Sequence, residues 1–313
     1  MPTRVILDTD IGSDVDDILA LSLILCSPEL KLEGVTCVYA DVQLRARMAL
    51  KLLRLAERSD VPVMAGVSNP LLGLAPVYWA GHEGVGLLEP EDDGLLPSPE
   101  HAADFLVRAV MENPGEIQLI AIGPLTNVAL AFLREPKLPR NLARLVIMGG
   151  AARVAARAAD LPLSEHNIRC DPEAAHIVLS AGAPTTVIPL DVTQRVLIRL
   201  DGVERIRAGG APFHDAVARQ VELYPRYKER GSTFLHDPLA VASVILPDLV
   251  SLHPLHIDVE LGGRFSAGAT LMRTASADAP PTADVALDVQ AGAFEQFLIE
   301  RLSTSPTSHP VET

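Results

Sequence analysis

The 313-residue sequence is poor in cysteine, and Cys26, Cys37 and Cys170 are the whole set. An odd number of widely spaced cysteines indicates neither a disulfide framework nor a zinc site, so small buried hydrophobic residues are the better interpretation. Basic residues are also few, 26 against 40 acidic ones, and the formal net charge is -14. This balance opposes binding to nucleic acid or to an anionic membrane, because both need a basic surface on the protein.

Long apolar runs are missing as well. No stretch reaches the length that spans a bilayer, and the chain does not open with a charged segment followed by an apolar run, as a signal peptide would. These absences predict a cytoplasmic protein. Hydrophobic residues still make up 48% of the chain and charged residues 21%, which is ordinary for a globular protein with a large core.

Short apolar, β-branched runs alternate with longer helical patterns. Strands are predicted at 5–7, 32–39, 61–65, 117–122, 142–148 and 185–189, and helices at 16–27, 42–58, 100–113, 126–133 and 172–181. This alternation predicts an α/β fold with a mostly parallel open sheet and helices on both faces. The continuous apolar character of the strands fits a sheet that is covered on both sides.

The pattern changes towards the C-terminus. A hairpin is predicted from strands at 256–261 and 269–273, followed by a strand at 285–289 and a helix at 292–302. We interpret 1–303 as a single domain and 304–313 as a flexible tail. Long loops are expected at 66–99, 150–168 and 191–235, and loops of that length usually serve the active site of an α/β enzyme.

Five aspartates crowd the end of the first predicted strand and the start of the next helix: Asp8, Asp10, Asp14, Asp16 and Asp17. Helix capping explains Asp14, Asp16 and Asp17 well, because acidic residues are favourable in a first turn. It does not explain Asp8 and Asp10, which emerge together at a strand end, where ligands bind in open α/β sheets. We therefore favour a metal site.

Further oxygen donors are available in two other segments. His236-Asp237-Pro238 is one, although Asp237 as a helix cap before Pro238 is an alternative. The turn from Ile122 to Asn127 is the other, with backbone carbonyls as neutral ligands, although it also reads as an ordinary turn between strand and helix. Oxygen ligands without interleaved cysteine or histidine favour calcium or magnesium over zinc.

Together these segments resemble the inosine-uridine preferring nucleoside hydrolase family. The matching motifs occur in family order: Asp8-Thr9-Asp10-Ile11-Gly12 with Asp16-Asp17, then Gly123-Pro124-Leu125-Thr126-Asn127, Val146-Ile147-Met148-Gly149-Gly150, Glu165-His166-Asn167 followed by Asp171-Pro172-Glu173-Ala174-Ala175, and His236-Asp237-Pro238. The resemblance implies hydrolysis of the N-glycosidic bond of ribonucleosides, a calcium cofactor, and a homodimer or homotetramer.

The resemblance also implies roles for individual residues. Calcium ligands would be Asp10, Asp17, Asp237 and the backbone carbonyl of Ile122. Ribose contacts would be Asp16, Glu165 and Asn167. Asp10 would also deprotonate the attacking water, His82 would contact the base, and His236 would be a proton donor to the leaving base or a contact of it.

The chemistry of the reaction suits these residue types. Breaking an N-glycosidic bond builds oxocarbenium character on the ribose, which nearby carboxylates stabilise. Water bound to calcium is easier to deprotonate. Histidine can give a proton to the leaving base near neutral pH.

The sequence departs from the family pattern at three places. Asp14-Val15 lies as a two-residue insertion when Asp16-Asp17 is taken as the family's aspartate pair, so Asp14 competes with Asp16 for the ribose role. Asp41 stands where an asparagine after the second strand is expected. Asp160 is the nearest substitute for an asparagine that meets the sugar 5′-hydroxyl.

Two tyrosines and two further functions complete the expectations. Tyr224 and Tyr227 precede His236 and could line the base pocket, although aromatic residues at helical spacing are more often part of the core. A magnesium-dependent phosphohydrolase with Asp8 as nucleophile is the first alternative function. It lacks the expected lysine, since Lys137 alone lies between Lys51 and Lys228. The second alternative is a nucleoside-binding protein without catalysis.

Overall fold

The computed structural model describes residues 1–74, 76–153 and 161–307. Its strands are β1 (Thr3–Thr9), β2 (Leu30–Cys37), β3 (Val63–Ala65), β4 (Ile117–Ala121), β5 (Arg144–Met148), β6 (Thr185–Ile188), β7 (Leu197–Arg199), β8 (Ser232–Phe234), β9 (Val250–Val259), β10 (Thr270–Thr274) and β11 (Ala283–Val289). Nine of them form one sheet in the order β10-β9-β11-β6-β5-β4-β1-β2-β3. The strands from β11 to β3 are parallel, and β9 runs antiparallel to β10 and β11.

Helices cover both faces of this sheet. They are α1 (Asp16–Leu25), α2 (Val42–Leu55), α3 (Ala102–Glu112), α4 (Thr126–Arg134), α5 (Leu138–Asn141), α6 (His166–Cys170), α7 (Pro172–Ser180), α8 (Leu190–Thr193), α9 (Leu200–Arg207), α10 (Pro212–Leu223), α11 (Pro225–Arg230), α12 (His236–Ile245) and α13 (Ala291–Leu302). Short 3₁₀ helices lie at Pro90–Gly94 and Pro247–Leu249. The predicted α/β class, with its parallel sheet and C-terminal hairpin, is confirmed.

Two hydrophobic cores lie on opposite sides of the sheet. Along β1, Val5 and Leu7 belong to one core and Ile6 to the other, because successive side chains of a strand point to opposite faces. The first core contains side chains of α1, α2, α10, α12 and α13, and the second contains side chains of α3, α4 and α7. The strand ends, and with them the candidate site, are thus held by packing on both sides.

The predicted loop at 191–235 is wrong, because most of that segment folds into α8, β7, α9, α10, α11 and β8. Phe213, Val217 and Val221 recur at helical spacing in α10 and are fully or almost fully buried. Pro212 and Pro225 occupy the first positions of α10 and α11, where proline is tolerated. Each proline thus marks the start of a helix within the segment that is predicted to be a loop.

The predicted tail begins at 304, and its described part is held against the domain. The backbone N–H of Thr307 donates to the carbonyl of Leu25 at 2.9 Å. The Nε2 of His214 lies 2.9 Å from the carbonyl of Thr304. Flexibility stays a prediction for 308–313, which lie outside the described residues. Within the described ranges, no helix is both long enough and apolar enough to cross a membrane.

Candidate active site

A cavity of about 400 Å³ opens at the carboxyl edge of the parallel strands. Elements that follow β1, β4 and β5 supply much of its wall, which is where the topology of an open α/β sheet places ligands. Its lining includes ten of the residues that the sequence singles out: Asp10, Asp14, Asp16, Asp17, Ile122, Glu165, Asn167, Tyr224, His236 and Asp237. The fold therefore brings together side chains that are more than 200 positions apart in the chain.

One wall of the cavity, the acidic wall, is formed by Asp10, Asp16, Asp17 and Asp237. Carboxylate oxygens of Asp16, Asp17 and Asp237 lie within 4.8 Å of one another, and all three side chains are buried. Asp17 accepts a hydrogen bond from the Thr9 hydroxyl at 2.5 Å, and Asp16 accepts one from the backbone N–H of Asp237 at 3.1 Å. These few donors leave most of the carboxylate oxygen capacity facing the cavity.

The electrostatics of the acidic wall follow from burial and crowding. Burial raises the pKa of Asp16, and repulsion from Asp14 and Asp17 raises it further. Burial and then the charge of Asp10 raise the pKa of Asp17, while burial, Asp16 and Asp17 raise that of Asp237. A divalent cation would relieve this repulsion, and a donor set made only of oxygens suits a hard cation such as calcium or magnesium.

Asp10 stands beside this group, in contact with the turn after β4. A Cβ on Gly123 would lie 2.9 Å from both the backbone nitrogen and Oδ1 of Asp10, so the close approach of the turn requires glycine here. On its other side, the guanidinium of the fully buried Arg45 lies 3.9 Å from Asp10. Arg45 also donates to the carbonyls of Tyr39 and Ile11 at 2.7 and 2.9 Å. The backbone around Asp10 is thus held by a buried cation.

A second wall, the amide wall, consists of Glu165, Asn167 and the carbonyl of Ile122. Glu165 caps α6 and accepts hydrogen bonds from the backbone N–H groups of Gly150, Asn167 and Ile168 at 3.1, 2.8 and 3.1 Å. The amide of Asn167 donates to the carbonyl of Ile122 at 2.9 Å. Burial raises the pKa of Glu165 although these donors oppose it.

Tyr224 and His236 close a third side. The Tyr224 hydroxyl donates to Asp14 at 2.8 Å, and Asp14 stays close enough to Asp16 for its charge to raise the pKa of that carboxyl group. The Nδ1 of His236 lies 2.7 Å from the Thr193 hydroxyl, so Nε2 is the ring nitrogen left for other contacts. Burial lowers the pKa of His236 to about 4. The resemblance implies that His236 is either a proton donor to the leaving base or a contact of it, and the lowered pKa favours the contact.

Asp8, the nucleophile of the phosphohydrolase alternative, lies below the cavity. It is fully buried and accepts hydrogen bonds from Thr36 at 2.5 Å and from the Asn127 amide at 2.8 Å. Burial raises the pKa of Asp8 to about 7. A buried carboxyl group that does not line the cavity cannot attack a substrate there, and this placement argues against the phosphohydrolase.

Comparisons with known proteins agree with this geometry. The family model for inosine-uridine preferring nucleoside hydrolase matches residues 5–296. The pyrimidine-specific ribonucleoside hydrolase RihA of Enterobacter sp. (strain 638) is 34% identical, over 97% of this chain and 98% of that protein. Among solved structures, the plant nucleoside hydrolase PpNRh1 has a TM-score of 0.86 and 30% identity, covering 97% of this chain and 99% of its own. A purine-preferring ribonucleoside hydrolase from Gardnerella vaginalis has a TM-score of 0.84 and 30% identity, covering 96% and 98%.

The chain belongs to the inosine-uridine preferring nucleoside hydrolase family. It is an enzyme that hydrolyses ribonucleosides. Within that family, the raised pKa values and the clustered oxygens of its acidic wall are what a metal-dependent hydrolase needs.

The main cavity of this nucleoside hydrolase is lined neither by His82, for which the resemblance implies a contact with the base, nor by Asp41. His82 lines a neighbouring cavity of about 190 Å³ together with Asp14 and Tyr224. The Nε2 of His82 is buried and finds no hydrogen-bond partner among the described residues. Asp41 is exposed and caps α2 by accepting a hydrogen bond from the Leu44 N–H, because a side chain at that position points back over the helix start.

Two further predicted contacts are Tyr227 and Asp160. Tyr227 is 8% exposed and packs in the first hydrophobic core, so the core interpretation of this aromatic residue is the better one. Asp160 lies outside the described residues. Of the two tyrosines, only Tyr224 thus lines the cavity of this nucleoside hydrolase.

Several residues that line the cavity are not predicted from the sequence. Ser13, Tyr78 and Gln194 line the cavity although no motif singles them out, and His166 lines it from within the Glu165-His166-Asn167 motif, where the resemblance implies no role for it. Arg45 does carry a signal: it interrupts a buried helical stripe that includes Val42, Ala49 and Leu52. A lone arginine in such a stripe needs buried partners, and here they are the backbone carbonyls and the Asp10 carboxylate.

Proposed function

We propose that this nucleoside hydrolase uses calcium at the acidic wall and Asp10 as the general base that deprotonates the attacking water. The observation that carries the proposal is the group of three buried carboxylates, Asp16, Asp17 and Asp237, within 4.8 Å of one another. Asp10 lines the same cavity, 7% exposed, beside the turn at Gly123. A base next to a cation site is the arrangement that activates water at neutral pH.

The residues that would hold calcium are Asp10, Asp17, Asp237 and the carbonyl of Ile122. All offer oxygen, the element that calcium prefers. When bound, the ion would act as a Lewis acid that makes water easier to deprotonate and binds ribose hydroxyls. The raised pKa values of Asp17 and Asp237 support this assignment, because crowded buried carboxylates gain most from a cation.

The sugar would lie between the two walls, with Asp16, Glu165 and Asn167 on its hydroxyls. Glu165 and Asn167 are held by backbone hydrogen bonds, so they meet the substrate in a fixed geometry. Carboxylates on both sides stabilise positive charge as the ribose gains oxocarbenium character. The two walls thus bind the sugar and favour its transition state.

The leaving base would lie towards Tyr224 and His236. The Thr193 hydroxyl orients the imidazole of His236, which directs Nε2 to a hydrogen bond with the base. His82, across the ring of Tyr224 at 6.1 Å, belongs to the same end of the site. Neutral hydrogen bonds would stabilise the departing base as negative charge develops on it.

A substrate panel tests this proposal. Purified protein is incubated with inosine, uridine, cytidine and adenosine, with calcium or after chelation, and free ribose is measured as reducing sugar. We expect release with calcium that stops on chelation and returns on readdition. Tight nucleoside binding without release would instead support the binding-protein alternative.

The same panel reports base preference. The RihA relative is named as pyrimidine-specific and the Gardnerella structure as purine-preferring, so similarity at this level supports either class. The cytoplasmic location and the homodimeric or homotetrameric state stay predictions from the sequence and its resemblance.

A further inference from the structure

The loop between Asp10 and Asp16 reaches two segments that lie far along the chain. The Ser13 hydroxyl donates to Glu83 at 2.8 Å. The Tyr224 hydroxyl donates to Asp14 at 2.8 Å. Ser13, Asp14 and Tyr224 line the main cavity. Neighbouring residues of one loop therefore connect the acidic wall to two separate parts of the base end.

The contact of Ser13 fixes the turn before His82. Glu83 is 8% exposed, and its carboxylate also accepts the backbone N–H groups of Ala80 and Gly81 at 2.9 and 2.7 Å. On the other side, the buried guanidinium of Arg45 donates to the Ser13 hydroxyl at 3.1 Å. The turn that carries His82 is thus bonded through Ser13 to a cation at the centre of the site.

The contact of Asp14 fixes Tyr224. This tyrosine lies at the junction of α10 and α11, and its ring centroid is 6.1 Å from that of His82. The second oxygen of Asp14 accepts the Val15 N–H at 2.6 Å, which holds the carboxylate in place. Asp14 is therefore a preorganised acceptor for the Tyr224 hydroxyl at the edge of the acidic wall, beside Asp16.

We propose that Ser13 and Asp14 are positioning residues, which hold Tyr224 at the base end of the main cavity and His82 in the smaller cavity next to it. The inference rests on the proposed function for its base end, and it assigns Asp14 to Tyr224 instead of to ribose. A lost hydrogen bond to a charged group weakens contact with the base, while Asp10 and the acidic wall keep their geometry.

Steady-state kinetics at saturating calcium test the part of the proposal that concerns Asp14 and Tyr224. Asp14→Ala and Tyr224→Phe each remove the hydrogen bond, and we expect KM for the preferred nucleoside to rise about tenfold. We expect kcat to stay within about threefold, because the reacting end is untouched. Asp14→Asn keeps an oxygen for the Val15 N–H, and its amide NH₂ can donate to the Tyr224 hydroxyl oxygen, so this variant should retain most of the wild-type KM. The double variant should be no worse than either single variant, since both remove one interaction.

Two outcomes of these kinetics would overturn the assignment. If Asp14 binds ribose through its charge, Asp14→Asn will be as damaging as Asp14→Ala, and inhibition by free ribose will weaken. If the two residues act separately, the double variant will lose the product of the two single effects. Asp93→Ala is the matched control, since this exposed aspartate pairs with Arg47 on the surface.

Hydrogen exchange on the metal-free protein provides a readout that needs no activity. We expect Asp14→Ala to speed amide exchange at 221–227 and Ser13→Ala to speed it at 80–84, each by about tenfold, the change for one hydrogen bond. Unchanged exchange in both variants would overturn the positioning role. A wild-type protein that releases no ribose would instead contradict the proposed function, so the two failures are distinguishable.

Discussion

The two walls of the cavity hold their carboxylates in opposite ways. In the amide wall, Glu165 accepts three backbone N–H groups. In the acidic wall, Asp16 and Asp17 have one donor each within the described residues, and they face each other and Asp237 at short range. The hydrogen-bond donors of the protein thus satisfy Glu165 in the amide wall. The carboxylates of the acidic wall have few donors among the described residues, so a bound cation would stabilise them.

This difference in hydrogen-bond donors indicates which parts of the site depend on a ligand. A buried carboxylate with several hydrogen-bond donors is stabilised locally, whereas a group of buried carboxylates without enough donors raises its pKa values or binds a cation. The amide wall should therefore keep its geometry in any state of the protein. The acidic wall should gain stability when a divalent ion binds.

Replacement of Asp10 by asparagine should give the largest effect. The amide has nearly the same shape and leaves the contact with Gly123 in place, but it cannot accept a proton from water. We expect kcat/KM for nucleoside hydrolysis to fall about a thousandfold, the usual contribution of a general base. Initial rates of ribose release measure it, with the thermal midpoint as the check on folding. Activity within tenfold of wild type would exclude Asp10 as the base.

Metal removal should lower the stability that depends on the acidic wall and leave the amide wall unaffected. At a calcium concentration of one hundred times Kd, ligand binding stabilises a protein by about 2.7 kcal/mol, so the thermal midpoint should rise on calcium addition. Asp17→Asn should abolish that rise, and in the metal-free protein it should be no less stable than wild type, because one repelling charge is gone. Calorimetry with and without chelator measures both values. A calcium response that survives in Asp17→Asn would remove Asp17 from the ligand set.

Glu165→Gln should weaken the amide wall in a metal-independent way. The neutral side chain retains one oxygen to accept from the backbone and places an NH₂ group against a donor, which costs about 1–3 kcal/mol. We expect the same fall in thermal midpoint with and without calcium, together with a higher KM. Thermal scans in both conditions give the comparison with Asp17→Asn. A fall seen only with calcium would show that Glu165 depends on the ion.

Much of the fold follows from the sequence, because strands buried on both faces read as continuous apolar runs and helices show their period. The segment 191–235 does not, since Pro212 and Pro225 read as loop residues until packing shows that they begin helices. In the site, strand-end aspartates are visible in the sequence. The partners of Ser13 and Arg45 are not, because contacts such as Ser13 with Glu83 depend on tertiary packing across distant segments.

Replacement of Asp41 should have the smallest effect, and it tests whether this residue belongs to either wall. It caps α2 through the Leu44 N–H at 2.9 Å and is exposed, so Asp41→Ala should cost about 1 kcal/mol of stability, the usual loss for an N-cap. Asp41→Asn preserves the cap and should cost less. We expect KM and kcat to be unchanged in both variants, because Asp41 does not line the cavity. Urea unfolding and steady-state kinetics measure these quantities. A raised KM in Asp41→Asn with unchanged stability would instead place this carboxylate in contact with the substrate.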